Sequence, residues 1–219
     1  MNLEEIRAEV EIKLFDPASY GPDQINDYIN GCLEYTAGVV SLPSLKRIGT
    51  VSTVLDQAYV NISSSLSFSG HLKKVLISDS QDPVIYPDLE RLLEDYTLDQ
   101  VGSVEAVALE GNVLWYARIP EEAETLVLLY YASPSRLVKN GDVPIDIPAH
   151  CHRKLLVHGT LWMLFDEIEN ASELEGQKIK TRENYWLSFD SSNPTSGINE
   201  LRYWLARVRA HHISSVWNY

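Results

Sequence analysis

The strongest constraint on the fold of this 219-residue chain is the stretch Ile147 to Asn170, IPAHCHRKLLVHGTLWMLFDEIEN. Proline fixes φ and has no N–H, so Pro148 suits the first turn of a helix, and no further proline interrupts the chain until Pro194. The stretch therefore predicts a helix. Projected at about 100° per residue, Leu155, Leu156, Val157, Leu161, Trp162, Met163, Leu164, Phe165 and Ile168 cover most of the circumference instead of one stripe. Such a helix is buried on several sides, as the centre of a helical core or of a core plus a subunit interface, for which His158, Leu161, Trp162 and Phe165 are the candidate residues. Its start is too polar and its apolar run too short to span a bilayer. Gly159 costs roughly 1 kcal/mol against Ala in mid-helix and points to close backbone packing.

Upstream, Asn2 and Glu5 have the spacing of a capping box, and Leu3, Ile6, Val10 and Leu14 recur at helical intervals, predicting a helix to about Phe15. Asp16, Pro17, Gly21 and Pro22 break it; Ile25, Tyr28, Ile29, Cys32 and Leu33 predict a second helix to about Val40, stopped near Leu42, Pro43, Lys46 and Arg47. From Thr50 the pattern turns β-branched and alternating, with strands expected in VSTVL, AYVNISSSLSFSG, KKVLISDS and TLVLLYYA. PDLERLLEDY reads as a short helical interruption, and VEAVALEGNVLWYARIP as a hairpin, because Glu110, Gly111 and Asn112 sit between two apolar runs and Gly or Asn can adopt the positive φ that a tight turn demands. After the central helix, Ser172 to Phe189 and Ile198 to about Ile213 read as helical, the latter with Ile198, Leu201, Leu205 and Val208 on one side and arginines on others. The expected class is α+β: an α-helical core, a helical bundle from residues 1–47 and 139–219, with an inserted, mostly antiparallel β module at 48–138.

The formal charge of −13 argues against holding nucleic acid through phosphate contacts, which need clustered Lys and Arg. Cys32 and Cys151 are too few for a disulfide framework and read as thiols in a reducing compartment, and the acidic N-terminus lacks the apolar run of a signal peptide. His150, Cys151, His152 and His158 are metal-ligand types, but consecutive helical residues diverge and Cys151 and His158 lie about 10 Å apart along the axis, so they do not grip one ion without outside help. His211 and His212 suit a helix C-terminus, and Asp166, Glu167 and Glu169 read as a solvated helix side instead of a carboxylate pair. With no GxSxG, Walker, GxGxxG or HExxH motif, no enzyme, metal or cofactor is expected. Trp115, Tyr116, Tyr130 and Tyr131 lie on strands, where alternation puts one of each pair inside; packing is the simpler reading, sugar binding the alternative. Val216 to Tyr219 carries Trp217 and Tyr219 with no local partner, which suits docking on a neighbour.

Two N-terminal helices ending near Leu42-Pro43, a β module closing on LVLLYYASPSRL, a polar loop with Asp142 and Asp146, and the IPAHCHRKLLVHGTLWMLFDEIEN entry together resemble the head-to-tail connector (adaptor) proteins of tailed bacteriophages. The likeness covers most of the chain and is most specific from Tyr130 to Glu169. It implies a structural virion protein at the neck, assembled in the host cytoplasm. That protein forms a homo-oligomeric ring, usually of twelve subunits, docked on the portal protein and joined to a tail or neck protein. Double-stranded DNA passes through its lumen without specific binding, and no membrane is involved. By the family's habit the C-terminal segment reaches the portal, which makes Arg202, Trp204, Arg207, Arg209, His211, His212, Trp217 and Tyr219 the docking candidates. Rival readings are another neck protein of tail-terminator type and a carbohydrate-binding β module.

Overall fold

The computed structural model describes residues 1–14, 20–62, 66, 68–77, 82–166 and 196–216, with backbone alone for 68–71, 165, 166 and 208–216. Helices and mixed sheets make it α+β. The chain divides into two compact units, Met1–Val40 with Pro134–Tyr219, and Ser41–Ser133.

In the first unit, α1 (Leu3–Lys13) opens on the expected capping box: the Glu5 amide donates to Asn2 Oδ1 at 2.9 Å and the Asn2 amide to Glu5 Oε2 at 3.0 Å. The helix stops at Lys13, two residues short of the Phe15 expected, with Leu14 extended as its cap. Pro22 starts α2 (Pro22–Val39), where its missing N–H is no loss, and Ile25, Ile29, Cys32 and Leu33 are buried on one side. The central stretch corrects the expectation of one regular helix. It begins as a 3-10 turn over Ala149–Cys151 with Pro148 at its N-cap, passes through a π-helical turn over Arg153–Val157, and becomes regular only in α4 (His158–Asp166). The wider π turn advances side chains by less than the usual 100° or so, which lets Leu155, Leu156 and Val157 all be buried in succession. Around it α2 packs against α1, the π turn and α4, while α1 meets the π turn and α4.

The segments of this unit are joined by polar groups. Buried Asn30 on α2 receives the Leu137 amide on Oδ1 at 2.7 Å and donates through Nδ2 to the Leu137 carbonyl at 3.0 Å. Asp142 accepts from the amides of Val138 and Lys139, both at 2.8 Å, and these hydrogen bonds, Lys139's foremost, hold its carboxyl below the usual range. The turn so formed offers the Asp142 carbonyl to the Leu3 amide at 2.8 Å. Arg153 grips Glu9 with two guanidinium nitrogens and depresses the Glu9 pKa.

In the second unit, β1 (Lys46–Ser52), β7 (Thr125–Ala132) and β3 (Phe68–Ile77) form an antiparallel sheet with β7 in the middle. The other sheet runs β2 (Tyr59–Asn61), β6 (Val113–Ala117), β5 (Ala106–Glu110) and β4 (Val84–Tyr86). There β4 pairs with β5 in parallel, an exception to the antiparallel pattern. The expected hairpin joins β5 to β6, with Glu110 paired to Val113 and Gly111 at φ +58°. Val51, Val75, Val107, Leu114, Leu126 and Leu128 make the core. A second cluster lies under α3 (Leu89–Asp95), where Leu92 meets Ala106, Ala108 and Ala117.

Candidate functional site

The last described element is α5 (Gly197–Val216). Ser196 Oγ caps it by accepting from the Asn199 amide at 3.2 Å, and Gly197 sets its position: a Cβ there would lie 3.0 Å from Leu155 Cδ2 and 3.2 Å from the Lys154 carbonyl carbon. A larger residue there would press on Leu155 and the Lys154 backbone, so glycine suits this close approach of α5 to the π turn. Ile198, Leu201 and Leu205 are buried at the i, i+3, i+7 spacing read from the sequence. The other side is exposed and carries Arg202, Tyr203, Trp204 and Arg207. Tyr203 is 66% and Trp204 37% exposed, and the Arg207 guanidinium lies 5.8 Å from the Tyr203 ring centroid, within cation–π range. The Trp204 ring sits 6.2 Å from that of His150. Arg202, Trp204 and Arg207 are among the residues that the family resemblance put forward; Tyr203, which it did not, lies between Arg202 and Trp204 and is exposed with them.

Arg209, His211 and His212 continue the backbone of α5, while Trp217 and Tyr219 lie outside the described residues. Of the proposed subunit-interface residues, His158 and Trp162 are half-buried, Leu161 is 0% exposed and belongs to the chain's own core, and Phe165 is described by backbone alone.

Among the described residues His150, Cys151, His152 and His158 do not come together as one group of ligands. His152 is buried: its Nε2 donates to the Ile147 carbonyl at 2.8 Å and its Nδ1 lies 3.1 Å from the N-terminal ammonium, and burial lowers its pKa. Cys151 is buried and its thiol is pushed up to about 11, by burial first and by the nearby Glu200 carboxylate second. Among the described residues one group of ligand-type atoms does converge, on His150, Cys151 and Glu200. Glu167 and Glu169 lie outside the described residues.

The strand aromatics are mostly interior. Tyr116 is fully buried, and its hydroxyl receives the Val54 amide at 3.1 Å. Tyr130 and Tyr131 are both buried, so the alternation expected of the pair fails at the end of the central strand β7. Trp115 is half-buried with its ring 5.1 Å from that of exposed Tyr59.

The family model described as SU10 adaptor protein matches residues 1–209, nearly the whole chain. The chain belongs to this family of phage head-to-tail adaptors. No curated protein matches it. Among the described residues no helix of this adaptor is long and apolar enough to cross a membrane.

Proposed function

We propose that this adaptor is a non-enzymatic virion protein of the neck, where a ring of its copies docks on the portal through α5 and carries the tail or a further neck protein on another surface. The helical segments before and after the β insertion form the bundle that builds the ring, with twelve copies as the number the family resemblance implies. The observation that carries the reading is the outer side of α5: a chain of net charge −13 presents there Arg202 and Arg207 beside exposed Tyr203 and Trp204. Arg, Trp and Tyr dominate the energetics of protein interfaces, because each brings a large contact area and a polar handle. The remaining acidic surface suits a lumen through which DNA slides without being held, since like charge denies the phosphates a counterion.

The test is co-sedimentation of the purified full-length chain with the portal ring of the same virus, beside Trp204→Ala, Arg207→Ala and a chain ending at Ala210. Binding by the full-length protein, weakened roughly tenfold or more by Trp204→Ala, is the expected outcome. A portal that captures wild type and the Trp204→Ala, Arg207→Ala double variant equally would remove α5 from the interface, and a chain that stays monomeric and ignores the portal would remove the connector role itself.

A further inference from the structure

His150 and Cys151 are neighbours in the 3-10 turn Ala149–Cys151, and Glu200 stands in the first turn of α5. One potential ligand atom from each of the three lies within 4.8 Å of the other two. The two sequence neighbours alone make no site; the third donor arrives from a helix some fifty residues later, brought in by the close approach at Gly197 to Leu155 and the Lys154 backbone. The Glu200 carboxylate is steadied from outside, because its Oε2 accepts from Lys154 Nζ at 2.6 Å. Carboxylates that bind metals are characteristically steadied by such an outer hydrogen bond.

We propose that His150, Cys151 and Glu200 form a binding site for a zinc-type divalent ion that clasps the start of α5 to the turn opening the central stretch. A thiolate, an imidazole and a carboxylate are the donor set of zinc and of cobalt used in its place, and a thiolate disfavours magnesium and calcium. Bonds of about 2.0–2.3 Å in a tetrahedron separate ligands by roughly 3.5 Å, so the triangle closes by about 1 Å on binding. Exposed His150 and half-buried Glu200 have the freedom to make that movement, while buried Cys151 is the fixed anchor. The thiol proton leaves to solvent as the sulfur–metal bond forms, and water completes the fourth position. The ion would fix α5, whose outer side bears Trp204 next to His150, in one attitude. The site is a property of the isolated chain and stands or falls apart from portal docking.

The experiment strips the full-length chain with a chelator and titrates it with Co²⁺, then Zn²⁺. Expected are a thiolate-to-cobalt charge-transfer band saturating at one ion per chain, its displacement by zinc, its loss in Cys151→Ser, and affinity weakened at least about tenfold in His150→Ala and Glu200→Gln. Cys32→Ala retains the band. Zinc raises the Tm of the wild type and leaves that of His150→Ala unchanged. His150 is exposed and Glu200 half-buried, so their variants decide the matter even where Cys151→Ser does not fold. Absence of the band in wild type, its persistence in Cys151→Ser, or equal affinity in His150→Ala overturns the proposal.

Discussion

The core of the β unit is drawn from one continuous segment, Ser41–Ser133, and its joints are mainly apolar, with Val51, Val75, Leu114, Leu126 and Leu128 in one cluster beside the Val54 amide's bond to the Tyr116 hydroxyl. The helical unit is assembled from Met1–Val40 and Pro134–Tyr219, and where these segments meet it uses polar joints as well as apolar ones: Asn30 to Leu137, Leu3 to the Asp142 carbonyl, Glu9 to Arg153, Arg136 to Asp27 at 2.6 Å. The difference teaches where each unit is specified. Apolar burial is roughly proportional to area and forgiving of direction, so it suits strands whose register the backbone ladders already fix. Segments far apart in sequence need a joint that fixes register, and a buried amide satisfied on both sides provides one.

The largest effect that would break this comparison comes from the β core. Leu126→Ala removes fully buried methyl groups and costs about 3 kcal/mol. Hydrogen exchange should report faster opening in 41–133 first, and equal acceleration of α2 would mean that the units do not open separately. Asn30→Ala comes next at about 2 kcal/mol, because it orphans the Leu137 amide and carbonyl together; its signature is loss of protection in α2 and around Leu137 with the β unit unchanged. Gly197→Ala costs about 1 kcal/mol by pressing on Leu155 and the Lys154 backbone, and should free α5 while sparing α1 and α2. The smallest effect is in the pH profile. Glu9 and Asp142, in the helical unit, have folded pKa values below their ordinary ones, so their stabilisation is present above about pH 4.5 and lost as pH falls through the folded values. In the β unit the Tyr86 hydroxyl, donating to Asp95 at 2.6 Å, is pushed up to about 12, so its contribution is full below pH 10 or so and lost as pH rises toward 12. Acid should loosen α1 first and alkali the β4 to α3 region first, as read by residue-resolved exchange at both extremes.

Where local chemistry decides the outcome, the sequence was legible: the Asn2–Glu5 capping box, Pro22 at the start of α2, Gly111 in its hairpin, and the buried spacing of Ile198, Leu201 and Leu205. It was not legible where the partner is distant. Nothing near Val84 announces that β4 pairs in parallel with β5, and Asn30 on a helix reads as a solvated residue until Leu137 comes into view. The π turn was hidden for a related reason: three consecutive apolar residues, Leu155 to Val157, look the same in any helix wide enough to be surrounded. On the outer side of α5 the arginines showed in the helical pattern and Trp204 came from the family resemblance, whereas Glu200 joined His150 and Cys151 only in three dimensions.

The pairing of Lys46 with Tyr131 means that the chain enters and leaves the β unit on adjacent strands, about 5 Å apart. To the helices, everything between is equivalent to a short link. Evolution can therefore lengthen, shorten or exchange that insert without rewriting the frame that carries it, provided the first and last strands still close side by side.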